Sequence, residues 1–216
     1  IPRLDIQALA EKQLGSQTEL PAAKRERFRR EYLISEQDAR TLIEDRDLAD
    51  YFEAAISETR CWAQTAALKI SDEKLMKLAS GWLISKLSGL LKAQNFSWAE
   101  RRVTPENFGE FVKIVAQEEV SGPNALKLLS AMVATAADPS DLMEKYGLGR
   151  IADVTVLLPY VRDVIKMNPQ QISEWQAGKE PVLKFLIGLV MKATEGKADP
   201  RLTEELLRQE SRPPES

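Results

Sequence analysis

This sequence has no histidine and a single cysteine, Cys61, among its 216 residues. The missing histidine removes Ser-His and Cys-His nucleophile pairs, the commonest general base near neutral pH, and every His-containing metal site. One cysteine forms neither an internal disulfide nor a thiolate cluster, which fits a reducing compartment. No run reaches the roughly 18 uncharged apolar residues that a spanning helix needs, so no membrane partner is expected. Strand signals are nearly absent, because no Asn-Gly or Asp-Gly pair divides two alternating apolar runs. There is no Gly-x-x-x-x-Gly-Lys-Ser/Thr loop, no Gly-x-Ser-x-Gly elbow and no Cys-x-x-Cys. No catalytic site and no metal site is expected in these residues.

What is present is helical punctuation. Thr104-Pro105, Asp138-Pro139, Asn168-Pro169 and Asp199-Pro200 each place a capping side chain before a proline at the first helical position. Ser121-Gly122-Pro123 is a looser version. Ser35 and Ser71 precede acidic first turns, which favour the helix dipole. Gly147, Gly178 and Gly196 stand where helices close in a left-handed cap. The spacing predicts helices near 21–32, 36–43, 46–57, 60–69, 72–93, 105–118, 122–136, 139–146, 156–167, 169–177, 181–194 and 200–210. Leu75, Leu78, Ala79, Trp82, Leu83, Leu87, Leu90 and Leu91 recur at three- and four-residue steps and make one broad apolar stripe. With Thr155 as cap, Pro159 falls fourth in its helix, where its missing N–H loses no partner. The fold class is all-α and multihelical.

An internal boundary is expected at Tyr146-Gly147-Leu148-Gly149-Arg150, with Gly147 and Gly149 as a hinge. Residues 1–147 hold 20 basic and 23 acidic side chains, whereas residues 148–212 hold 10 basic and 9 acidic. Within the second part, Lys179, Lys184, Lys192, Lys197 and Arg201 face only Glu180, Glu195 and Asp199 over residues 179–201. A small basic concentration thus sits inside an acidic chain of net charge −3.

Three groups bear on nucleic-acid contact. Lys24-Arg25-Glu26-Arg27-Phe28-Arg29-Arg30 is the densest basic run and would suit phosphates; an exposed helix face with Phe28 turned inward, near Glu44-Asp45-Arg46-Asp47, is the more ordinary reading of such a charge run. Gly188 lies inside a helix, where glycine costs up to about 1 kcal/mol relative to alanine and is usually offset by close approach of another backbone. Lys197 and Arg201 flank the Asp199-capped start of the last helix, an arrangement able to hold a phosphate, although Asp199 competes for the same N–H groups. Of the tryptophans, Trp82 reads as core, while Trp98 and Trp175 lie in polar surroundings and are freer to stack on bases, although a packing role is the ordinary reading for both. Adjacent pairs such as Glu118-Glu119 and Glu204-Glu205 point apart on a helix and make no acid/base dyad.

Ordered matches run along nearly the whole chain: Leu20-Pro-Ala-Ala-Lys-Arg-Glu-Arg-Phe28, Tyr32, Asp38-Ala39, Leu48-Ala-Asp-Tyr-Phe-Glu53, Lys77-Leu-Ala-Ser-Gly-Trp-Leu83, Thr104-Pro-Glu-Asn-Phe-Gly-Glu110, Gly149-Arg-Ile-Ala-Asp153 and Phe185 to Pro200. From about residue 20 to 210 the chain resembles the region after the catalytic domain in the B-subunit of the aspartyl/glutamyl-tRNA amidotransferases, the GatB family, ending in a signature shared with small YqeY-type proteins.

The resemblance implies a tether from a missing upstream catalytic domain at 1–19, a helical domain at 20–147 and a YqeY-like tail domain at 148–212; the polar, Pro-rich ending Ser211-Arg-Pro-Pro-Glu-Ser216 is expected, on composition, to leave a disordered end at 213–216. It implies a cytoplasmic complex whose A-subunit releases ammonia from glutamine and whose B-subunit, with ATP, Mg and Zn in the absent domain, amidates Asp or Glu on its tRNA. The partners it implies are tRNA(Asn) or tRNA(Gln) and subunits A and C. The tRNA-binding candidates are Lys179, Lys184, Lys192, Lys197 and Arg201, with Gly188 and Gly196 structural. Four positions depart from the family's usual residues: Gly81 stands for Asn, Leu189 for Gln, Glu195 for Lys and Asp199 for Asn. The last two put negative charge where a phosphate contact is expected. The net charge of −3 favours the other reading, a stand-alone helical YqeY-like protein-interaction module without direct RNA contact.

Overall fold

A computed structural model describes residues 19–211, so residues 1–18 of the expected tether and the expected disordered end at 213–216 lie outside the described residues. The helices are α1 (Pro21–Tyr32), α2 (Glu36–Glu44), α3 (Arg46–Thr65), α4 (Asp72–Ser80), α5 (Ser88–Ala93), α6 (Pro105–Ala116), α7 (Gly122–Thr135), α8 (Pro139–Lys145), α9 (Val154–Met167), α10 (Pro169–Gln176), α11 (Glu180–Ala193) and α12 (Pro200–Glu210). A π-helical stretch, Gly81–Leu87, joins α4 to α5. Two isolated bridges, Val120 to Gly149 and Ile151 to Ala198, are the extended pairings among the described residues. The fold is all-α, as the punctuation predicts.

The caps act as their chemistry dictates. Thr104 accepts from the Asn107 N–H, Asp138 from Ser140 and Asp141, and Asp199 from Arg201 and Leu202. Gly147, Gly178 and Gly196 all take positive φ, at 55°, 97° and 80°, and end their helices in the left-handed region. Two expected caps differ. Asn168 instead donates its Nδ2 to the Val164 carbonyl, closing α9 from behind, and Ser121 makes no side-chain cap.

Three boundaries differ from the sequence expectation. The pair of helices at 46–57 and 60–69 is a single helix through the Ser57-Glu58-Thr59 step, where the Thr59 hydroxyl donates back to the Ala55 carbonyl at 2.7 Å and so satisfies itself within the helix. The driving force is packing: Ala55, Ile56 and Thr59 are buried. α9 starts at Val154 with Asp153 as cap, not Thr155, so Pro159 is its sixth residue. The proline therefore deprives the Thr155 carbonyl of its partner, tolerable because Thr155 and Pro159 are exposed and water takes the lone pair. At the π-helical stretch the Ser88 N–H and hydroxyl both reach the Leu83 carbonyl, which widens the turn inside the apolar stripe of 75–91.

Burial falls into two sets. The larger, the body, is built on Phe28, Phe52, Tyr51, Leu83, Phe108, Phe111 and Leu129 and runs as far as Leu148. The smaller, the tail, gathers Leu157, Val161, Leu183, Leu186, Val190, Leu206 and Leu207. Inside the body, α6 crosses α3 so closely that a Cβ on Gly109 would stand 2.8 Å from the Glu58 carbonyl carbon. Gly109 is thus a glycine required by backbone contact. Gly188, where such contact is expected, has no atom within 4 Å of its Cβ position.

Candidate nucleic-acid interface

The exposed face of α11 is set by its helical period. Leu183, Leu186 and Val190 are buried against α9 and α12, which turns Lys184, Gly188 and Lys192 outward at four-residue steps. Phe185, 52% exposed, borders the same stripe. Gly188 leaves a gap between the two lysines, so a bulky chain can approach the helix backbone there. Among the described residues neither Lys184 nor Lys192 has a carboxylate within ion-pair distance, and the same holds for Arg201, whereas Lys179, Lys197 and Arg208 are each paired. Two unopposed ammonium groups beside an open strip of backbone and an exposed ring form a surface suited to a polyanion carrying stacked bases.

The other candidates are placed differently. Lys179, at the start of α11, is neutralised by Glu174 at 3.2 Å. Arg201 is exposed in the first turn of α12. The start of α12 is filled by its own cap: Asp199 Oδ1 accepts from the Arg201 and Leu202 N–H groups at 2.8 and 2.9 Å, and its Oδ2 accepts from Arg150 at 3.0 Å. Burial pushes the Asp199 carboxyl upward, yet those N–H groups and the Arg150 guanidinium outweigh it and hold the group below its ordinary value. An anion has no open N–H there.

Lys197 turns from the stripe toward the body. Its Nζ lies 3.7 Å from Glu195 and 3.7 Å from the Cβ position of Gly147. Gly196 is held at φ 80° with its Cβ position 3.4 Å from Ser121 Oγ, so the α11 cap packs directly on the first residues of α7.

The segment between Gly147 and Gly149 is tied on both sides. Asn124 Nδ2 donates to the Leu148 carbonyl, the Arg150 N–H to Glu119 and the Ile151 N–H to Lys197. Arg150 also bridges Glu118 at 3.2 Å to Asp199 at 3.0 Å. Neither Arg150 nor Lys127 is among the residues expected at an interface from sequence, although Lys127 is the one charged residue between Glu119 and Asp138. That isolation is the signal the sequence offers.

Two possible nucleic-acid contacts resolve as structure, the ordinary reading of each. Phe28 is fully buried, and its basic flank is matched by carboxylates: Lys24 lies 3.5 Å from Asp50, Arg25 3.4 Å from Glu36, Arg27 2.6 Å from Glu53 and Arg29 3.1 Å from Glu36. The acids come from α2 and α3, not from Glu44 to Asp47; Asp45 is instead occupied in capping α3. Trp98, whose polar surroundings in sequence suggest a freer ring, is only 9% exposed and packs its ring 5.3 Å from Tyr51. Trp175 is half-buried beneath the Arg208 guanidinium, 5.8 Å above its ring. Trp82 packs edge-on against Phe111 at 5.1 Å, as a core residue does.

Among the described residues no helix is long and apolar enough to cross a membrane. The sequence profile described as the GatB domain, GatB_Yqey, matches residues 64–210, which takes in the second half of the body and the tail. The B-subunit of the aspartyl/glutamyl-tRNA(Asn/Gln) amidotransferase of Nitrosococcus oceani is 35% identical over 190 residues, 88% of this chain and 37% of that protein. That of Halorhodospira halophila is 37% identical over 190 residues, again 88% and 37% of the two chains. That of Caldanaerobacter subterraneus is 36% identical over 192 residues, 89% of this chain and 38% of that protein. The chain therefore spans well under half the length of these relatives. On this match over most of its residues, the chain belongs to the GatB domain family.

Proposed function

We propose that these residues are the C-terminal tRNA-recognition region of a GatB-type amidotransferase protein. The tail supplies the contact through Lys184 and Lys192 on α11, and the body holds the tail at a fixed place. The observation that carries this reading is the unopposed Lys184–Gly188–Lys192 stripe, in a chain whose densest basic run has Lys24, Arg25, Arg27 and Arg29 matched by carboxylates. In the cytoplasm, the region would position a misacylated tRNA(Asn) or tRNA(Gln) for ATP-dependent, glutamine-fed amidation, with subunits A and C as partners. ATP, Mg and Zn fall to the part of the relatives that this chain does not span; the described residues gather no group of His, Cys, Asp or Glu suited to a metal.

The test is titration of the full-length protein, in complex with its partner subunits, with tRNA(Asn) or tRNA(Gln) over a range of salt. Replacing both Lys184 and Lys192 by alanine is expected to weaken binding and to flatten the salt dependence. Removing one phosphate contact lowers the slope of log affinity against log salt by roughly 0.7–0.9. An unchanged slope contradicts the assignment.

A further inference from the structure

α7 presents one charge to the junction of body and tail. Lys127 is exposed and, among the described residues, forms no ion pair, so its ammonium is open to an incoming anion. With Asn124, Tyr146 and Leu148 of the body, and Glu195 and Lys197 of the tail, it lines a cavity of about 330 Å³. That volume sits at the lower end of the roughly 300–1,000 Å³ range of small-ligand sites.

The polar groups of this cavity ask for two things at once. Lys127 and Lys197 together bring two positive charges, opposed by Glu195 alone, whose carboxylate is mostly exposed and 3.7 Å from Lys197. They call for an anion. Asn124 is only 1% exposed. Its Nδ2 is committed to the Leu148 carbonyl, which fixes the amide's orientation and leaves Oδ1 as a buried acceptor without a donor. The neighbouring Ser121 Oγ, one turn back and facing Gly196, is also without a partner. Asn124 Oδ1, a pure acceptor on the cavity wall, calls for a donor. The phosphodiester of a nucleic-acid backbone, which has no O–H, supplies only the first need. A phosphate attached to a hydroxylated sugar supplies both.

From this pairing we infer that the junction cavity binds one ribose-phosphate unit of an RNA backbone. The phosphate lies between Lys127 of the body and Lys197 of the tail, with a ribose hydroxyl directed at Asn124. The site rests on the tRNA reading above and deepens it: it adds a body residue, Lys127, to the interface and makes the bound RNA a bridge between the two cores. Glu195 weakens the site by its charge.

The experiment uses the full-length protein in complex with its partner subunits and tRNA(Asn) or tRNA(Gln) transcripts as probe. K127A, K197A, the double variant and E195Q are compared over a salt series. K127A and K197A are each expected to lower affinity several-fold and to reduce the salt slope by roughly 0.7–0.9. The double variant should lose little more than either single change, because the two ammonium groups share one phosphate. E195Q should bind more tightly. Lys127 is exposed, so K127A should keep the wild-type melting temperature, which separates lost binding from lost folding.

The inference is overturned if K127A leaves affinity and slope unchanged while replacement of Lys184 and Lys192 lowers both; the tail reading then survives without this site. If neither set of changes has an effect, both readings fall.

Discussion

Arg150 Nη1 lies 3.0 Å from Asp199 Oδ2, across 49 residues of sequence, and the same nitrogen lies 3.2 Å from Glu118. One guanidinium thereby joins the end of α6, the linker after Gly147 and the cap of α12. It acts beside the Arg150 N–H bond to Glu119 and the Ile151 N–H bond to Lys197, so the paired glycines sit in a stitched segment. Asp199 does two jobs with its two oxygens: Oδ1 caps the helix and Oδ2 holds Arg150.

This arrangement makes the junction acid-sensitive. The Asp199 carboxyl is held below its ordinary value of 3.8, so its contribution is fully present above that pH and is lost as pH falls through the lower folded-state value. Asparagine keeps the cap but not the charge. D199N should therefore cost about 1.5–3 kcal/mol at pH 7, the usual size of a hydrogen bond to a charged group. The difference from wild type should close below about pH 3.8. Thermal melts between pH 7 and pH 2.5 check this, and a constant difference contradicts it.

Gly109 sets the crossing of α3 and α6. A methyl group there would stand 2.8 Å from the Glu58 carbonyl carbon and 2.9 Å from the Thr59 nitrogen, both backbone atoms that cannot turn aside. G109A should destabilise the body by about 1–3 kcal/mol, the range for overpacking. Denaturant unfolding of the variant measures it.

Gly188 makes the opposite case. Its Cβ position is empty, so G188A should stabilise α11 by about 0.5–1 kcal/mol through the ordinary helix preference for alanine. The same methyl would fill the gap between Lys184 and Lys192. A raised melting temperature combined with weaker tRNA binding is the expected result; a raised melting temperature with unchanged binding would mean that the RNA does not lie against this strip.

Much of the fold could be read from neighbouring residues, because its signals are local. Ser35, Ser71, Thr104, Asp138 and Asp199 each satisfy an N–H two or three positions away, and left-handed glycines close the helices they follow. The readings that differ all depend on contacts distant in sequence. Trp98 has polar neighbours but lies under Tyr51. The Ser57-Glu58-Thr59 step looks like a break until α6 covers it. Gly109 and Gly188 are both glycines inside helices, and only the presence or absence of a crossing helix tells them apart. At the interface, the alternation that turns Lys184 and Lys192 outward is visible in the sequence. The partners that neutralise Lys179 and Arg27, and the cavity that brings Lys127 to Lys197, come from the packing of separate helices.

The central claim is that the tail is the part of this region that holds tRNA. The direct measurement is the affinity of the full-length complex for tRNA(Asn) or tRNA(Gln) with and without residues 148–216, alongside an intact variant carrying R25Q and R29Q in the carboxylate-matched run. Removing the tail should weaken binding and slow amidation of the misacylated tRNA, while the α1 variant should bind as the wild type does. Unchanged affinity and unchanged amidation after removal of the tail would contradict the account.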